Sequence, residues 1–335
     1  MTGARLKFLL RGLVSLGLIA LVARKVNWTE LAAVFARLDL RWATTGWAVS
    51  FLIIAGLTLR WRILLAQQRL HLHGRTVFAL VWGGQFFNSI LPGSTGGDVM
   101  KIYQLCRIAP DRKAAAVATI FFDRLAALVA LLTLALLGFI LEPIPLQVLA
   151  GRGPVWTAPK VASLVIGLAI AGAVVGWLVF RVLRRTTWLG RLQRMLAATK
   201  THLASGPALG VVFVLALAVH FVTFTVFYLF ARSLGISITY TQVVLMVPVV
   251  LFMMLLPITI NGHGLRELLL IGYFRHMEIG LSSAGGSVAP EIAVALSLLL
   301  VSNDLLWSIP GGIWYFSTFR GPVRDAGGGS PGMNA

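Results

Sequence analysis

The sequence predicts an all-α polytopic membrane protein of about 6–8 transmembrane helices, in two inverted-topology halves that each carry a broken re-entrant helical segment. Three observations lead there. The chain is 58% hydrophobic and 12% charged, its mean hydropathy is +0.87, and apolar runs of roughly 20 residues recur, the length that crosses a bilayer core. Its basic residues sit in short segments between those runs, as the positive-inside rule arranges them. Two of the runs are interrupted by the same grammar of Pro, Gly and polar residues. A membrane barrel would show short alternating strands, and none is visible.

Arg5, Lys7 and Arg11 precede an apolar run over 12–23, and Arg24-Lys25 follow it directly. No small-x-small cleavage pattern closes the run, so it reads as an uncleaved first helix with its N-terminus inside. Over 28–40, Leu31, Val34, Phe35 and Leu38 alternate at helical spacing with Glu30, Arg37 and Asp39, as in a short interfacial helix. Residues 42–59 form the next span, with Trp42, Trp47 and Trp61 as interfacial anchors. The stretch 60–75 holds Arg60, Arg62, Arg69 and Arg75 with His71 and His73, and is expected on the cytoplasmic side.

The first break follows. An apolar run from Thr76 to Leu91 stops at Pro92-Gly93-Ser94-Thr95-Gly96-Gly97 and resumes at Asp98. At 1.5 Å per residue the run is too short to span comfortably. Residues 114–141 form a long span containing Asp123 and Arg124; the proline-rich 142–160 is expected outside, and 161–183 returns. The segment 181–200 is basic without an acid and is the strongest inside signal. Residues 207–231 cross again. Then Pro257-Ile-Thr-Ile-Asn261-Gly262-His263-Gly264-Leu-Arg266-Glu267 repeats the break, flanked by 241–256 and 265–274. Laying Pro92 on Pro257 puts Gly97 on Gly262 and Lys101 on Arg266. The final span, 291–319, is expected to break near Pro310-Gly311-Gly312. Thus residues 1–320 form one membrane domain, with halves of about 1–141 and 161–320, and 321–335 is a disordered tail rich in Gly, Pro and Ser. By charge, the first broken segment opens inward and the second outward, and both termini are cytoplasmic.

Two broken hydrophobic segments at matching places in two halves are the best pointer in sequence to a transporter's binding site. Half-helix N-termini expose backbone N–H groups and partial positive charge, suited to anions. Each break is followed within a turn by a cation, Lys101 or Arg266, with Arg124 on a nearby span. The substrate-binding candidates are Asn88, Gly96, Gly97, Asp98, Lys101, Asp123, Arg124, Asn261, Gly262, His263, Arg266 and Glu267. Lys101, Arg124 and Arg266 would neutralise a phosphate; Asp98, Asp123 and Glu267 would orient those cations or bind a headgroup amine. Against this stand plainer roles: Asp98 as a helix cap, Asp123-Arg124 as a structural ion pair, and Asn303-Asp304 as a packing contact. His71, His202 and His276 read as solvated interface residues, and His220 as a residue packed in its span.

A net charge of +18 is spread between spans and suits anionic headgroups, not nucleic acid. Cys106 is the only cysteine, so no intramolecular disulfide or thiolate metal cluster is available. There is no HExxH, G-x-S-x-G or P-loop, and Ser94, His263 and Asp98 make only the sort of triple that any polytopic chain offers. No catalytic residue, metal or cofactor is expected.

Phe87-Asn88-x-x-Leu91-Pro92-x-x-x-Gly96-Gly97-Asp98-x-x-Lys101-x-Tyr103, the Asp123-Arg124 pair, and Pro257-x-x-x-Asn261-Gly262-x-Gly264-x-Arg266-Glu267 resemble the flippase-like transmembrane domain of lysylphosphatidylglycerol synthases. The resemblance covers roughly residues 5 to 320. Asp123 stands where family members carry Glu, a mild departure. Synthase members add an aminoacyl-transferase domain, and here only a short tail follows the last helix. The resemblance therefore implies lipid translocation without lysyl transfer. The expected setting is a bacterial inner membrane, the expected partner is a phospholipid or polyprenyl-phosphate lipid, and a second copy of the chain is a candidate protein partner. The alternatives are a membrane-embedded transferase or accessory subunit of polyprenyl-phosphate-linked glycan or lipid modification, and an ion-coupled small-solute transporter.

The topology is open to test. Ser237→Cys is expected to react with an impermeant thiol reagent from outside and Thr187→Cys is not; the reverse pattern would invert the assignment.

Overall fold

The computed structural model describes residues 13, 16–24, 26–90, 96–141, 206–255, 259, 262–276, 279–281, 284–287 and 290–319. The expected loop 142–160, the span 161–183, the basic segment to 200, the residues 91–95 with Pro92 and Ser94, Pro257, Asn261 and the tail lie outside them. The protein is an all-α polytopic membrane protein. Residues 16–24 are helical. Then come α1 (Trp28–Ala36), α2 (Leu40–Gln67), α3 (Gly74–Ile90), α4 (Gly96–Ile108), a 3₁₀ turn (Pro110–Arg112), α5 (Lys113–Leu141), α6 (Gly206–Ser233), α7 (Tyr240–Leu255), α8 (Leu265–His276) and α9 (Pro290–Phe319). A two-stranded antiparallel ribbon, Gly280–Leu281 with Ala284–Ser287, joins α8 to α9. Among the described residues, α2, α5, α6 and α9 are long and apolar enough to cross a membrane.

Local chemistry starts the helices where they start. Asn27 Oδ1 accepts from the N–H groups of Thr29 (3.1 Å) and Glu30 (3.4 Å) at the head of α1. Asp39 Oδ1 accepts from Arg41 N (2.9 Å) at the head of α2. That second helix runs past the expected end at Leu59. Its buried stripe continues through Trp61, Leu64 and Leu65, and this i, i+3, i+4 pattern carries Arg60 inside the fold. The last helix also departs from expectation, because α9 is continuous through Pro310. Gly311 and Gly312 are seats for close packing instead: a Cβ on Gly311 would lie 2.5 Å from the Trp82 carbonyl oxygen, and one on Gly312 would lie 2.5 Å from the Phe86 ring.

Two sets of four helices match. In order, α2 to α5 have 28, 17, 13 and 29 residues, and α6 to α9 have 28, 16, 12 and 30. The packing matches too: α3 lies on α9 as α7 lies on α5, and α4 lies on α5 as α8 lies on α9. Likewise α2 packs on α3 and α5 as α6 packs on α7 and α9. The two lead helices, α2 and α6, pack on each other. They run antiparallel, since Asp39 N donates to Ser233 O (2.9 Å), Phe230 fills the space at Gly46, and Val219 that at Gly56. One apolar cluster centres on Trp61, Leu80, Leu105 and Ile120, and another on Phe224, Phe230, Leu270 and Phe274.

The tightest backbone approach lies between α3 and α4, where a Cβ on Gly97 would overlap the Gly84 carbonyl oxygen. Gly97→Ala is expected to cost about 1–3 kcal/mol in thermal unfolding of the detergent-solubilised chain. Gly210→Ala, with nothing near its would-be Cβ, is expected to be neutral or slightly stabilising.

Candidate functional site

At the first break, α3 ends at Ile90 and α4 begins at Gly96. Glycines at 84 and 97 let the two arms lie side by side. The freed Gly97 N–H donates to Asn88 Oδ1 (2.7 Å), so Asn88 satisfies one backbone donor of the first turn of α4. Asp98 sits in the first turn, where a carboxylate is favoured by the helix dipole, and turns outward to cations. Its Oδ2 accepts from Arg124 Nε (2.6 Å), and its Oδ1 lies 3.7 Å from Lys101 Nζ. Lys101 Nζ is also 5.4 Å from the centroid of the Trp61 ring. Gly96 and Gly97 are buried at the base of this cluster.

Asp123 and Arg124 do not pair with each other. Adjacent helical residues point about 100° apart, and Asp123 Oδ1 instead accepts from Arg60 Nε (2.7 Å). Arg60 was assigned to the cytoplasmic loop on sequence. The signal that could have found it is the lone acid in the apolar run of α5, which needs a cation at the same depth. The cluster thus joins α2, α4 and α5 and holds three cations and two carboxylates. The Arg60 side chain is 3% exposed and that of Arg124 48%, so Arg124 is the open end of the network. A planar guanidinium with free N–H groups is the side chain best shaped to take a phosphate in two bonds.

The second break turns through Gly262 (φ 76°) and Gly264 (φ 83°), left-handed conformations that favour glycine. The half-buried His263 lies between them. A Cβ on Gly264 would lie 2.5 Å from Leu18 Cβ, so the N-terminal helical stretch packs against this turn. Glu267 Oε2 accepts from the Gly264 N–H (2.6 Å). Arg266 donates from Nε to Ser297 Oγ (2.9 Å) and from a terminal nitrogen to Ser297 O (3.2 Å), and lies 3.6 Å from Glu267 Oε1. The Ser297 hydroxyl donates to Glu267 Oε1. Arg266 is 5% exposed, so this cation is closed in where Arg124 is open. Ser297 was not singled out by the sequence, because an uncharged serine in an apolar span carries no signal. Asn261 lies outside the described residues.

Two other polar candidates, Asn303 and His220, join helices. Asn303 Oδ1 accepts from Ser50 Oγ (2.6 Å), and Trp307 Nε1 donates to the same hydroxyl (2.7 Å), tying α9 to α2. His220 Nε2 bonds Ala127 O (2.9 Å) between α6 and α5. Among the described residues no group of three or more His, Cys, Asp or Glu could hold a metal.

Removing one partner of a buried pair strands the other. Asp123→Ala is expected to destabilise the protein by about 3–5 kcal/mol, read by thermal unfolding in detergent. The double variant Arg60→Met/Asp123→Leu is expected to cost less than Asp123→Ala, and a larger loss would show that the pair itself supplies stability.

A family model described as the lysylphosphatidylglycerol synthase TM region matches residues 8–301. The match takes in both breaks and the ionic cluster around each. Comparison with curated proteins gives no match. Matched over most of its length, with both breaks inside the match, the chain belongs to the lysylphosphatidylglycerol synthase TM region family.

Proposed function

We propose that this protein moves a phospholipid or another phosphate-bearing amphiphile between the leaflets of a bacterial inner membrane, leaving it chemically unchanged. One observation carries the proposal: matched helix sets with antiparallel lead helices each hold a glycine-lined break followed within a turn by a cation with a carboxylate beside it. The α3–α4 and α7–α8 arms, of 17, 13, 16 and 12 residues, are each shorter than the roughly 20 residues that usually cross a bilayer core. On this reading they are re-entrant segments of an inverted repeat, entering from opposite sides. A headgroup phosphate would replace the Asp98 carboxylate at Arg124 and Lys101, so bound lipid and the internal ion pair compete for the same cations. Rocking of one helix set against the other about α2 and α6 would then expose the site to alternate leaflets.

Reconstitution into liposomes with fluorescent phospholipid and polyprenyl-phosphate reporters tests this. Wild type is expected to move at least one reporter, and Lys101→Ala/Arg266→Ala to move none while keeping a cooperative thermal transition. Absence of movement by folded wild type would overturn the proposal and favour a transferase or accessory role.

A further inference from the structure

We propose a second phosphate-binding site, separate from the breaks, in the cavity at the turn between α2 and α3. This cavity of about 680 Å³ is lined by Arg62, His71, His73, Gly74 and Arg75, over a floor of Leu65 and Val77. Four basic or ionisable nitrogen side chains face one space with no carboxylate in its lining. The two guanidiniums, Arg62 and Arg75, repel each other until an anion enters between them, and both imidazoles can offer it an N–H donor.

The frame around the cavity is built. Leu65, Leu70 and Val77 are buried. Arg112 reaches back from the 3₁₀ turn, donating to Gln68 O (3.1 Å) and Arg69 O (3.4 Å), and so pins the turn. Arg69 holds a left-handed φ of 53° where α2 ends. His73 O accepts from Thr76 N (2.9 Å) and Val77 N (3.1 Å), fixing the start of α3 at the cavity wall. Arg62 and Arg75 remain exposed, with the Arg62 guanidinium 3.8 Å from the position of a Gly74 Cβ. The backbone that carries Arg62 and Arg75 is thus fixed by the turn and the start of α3, and a guanidinium can take a phosphate in two parallel bonds. Arg62 lies in the last two turns of the long apolar helix α2, and spans commonly end at the headgroup layer.

The site is read by binding and does not rest on transport. The full chain in maltoside micelles, which carry no phosphate, is titrated calorimetrically with dioctanoyl phosphatidylglycerol and, separately, with glycerol 1-phosphate. Wild type is expected to show a saturable class of sites that Arg62→Gln/Arg75→Gln weakens at least tenfold. His71→Gln/His73→Gln is expected to weaken the same class two- to fivefold. Arg41→Gln/Arg107→Gln, which removes equal charge from exposed positions elsewhere, is expected to stay within twofold of wild type. Binding of the lipid alone would assign the pocket to membrane headgroups; binding of both probes would assign it to the phosphate group itself. The proposal is overturned if Arg62→Gln/Arg75→Gln binds as wild type does, or if the charge-matched control loses as much.

Discussion

Helices that stop inside an apolar packing layer leave backbone N–H groups that must find acceptors, and the two sites of this chain are organised by how that need is met. At the first break the acceptor is a neutral amide, Asn88, bonded to Gly97 N. At the second it is a carboxylate, Glu267, bonded to Gly264 N. The choice has consequences. With Asn88 serving the backbone, Asp98 is free to engage Arg124 and Lys101. With Glu267 serving backbone, Ser297 and Arg266 together, the second cation is buried in a network with Ser297 and Glu267. Matched segments therefore arrive at unlike electrostatics, one cluster open at Arg124 and one sealed at Arg266.

Close approach is the second constraint. Between membrane helices there is little hydrophobic driving force, so packing depends on small residues that admit a neighbour's backbone or ring. Gly84 against Gly97, Gly46 against Phe230, and Gly311 and Gly312 against Trp82 and Phe86 are such places. The last pair lies in α9, which runs unbroken through Pro310. Its glycines serve the α3 contact, where Trp82 Nε1 also donates to Trp307 O (2.7 Å). The ionic cluster is held in turn by this packing, because Arg60, Lys101 and Arg124 come from three different helices.

Much of this was legible in the chain. Hydropathy located each described span within a few residues, except that α2 continues to Gln67, and Pro-Gly punctuation located both breaks. The matching of the breaks at Lys101 and Arg266 also appeared in sequence; the matching helix lengths around them did not. Partnerships were less legible. Asp123 and Arg124 are adjacent in sequence yet serve different helices, while Arg60 and Asp123, far apart in sequence, form the buried pair.

By itself the sequence determined the membrane class, the helical content, the places where helices cannot continue, and the stock of charges beside those places. Each of these is local: length, hydropathy and backbone freedom are properties of a segment. Only the tertiary structure decided which carboxylate meets which cation, that Asn88 accepts from the Gly97 N–H at the start of α4, and that Ser297 joins the second cluster. Those outcomes depend on how each helix is rotated and how deeply it packs, and both are set by neighbours from distant parts of the chain.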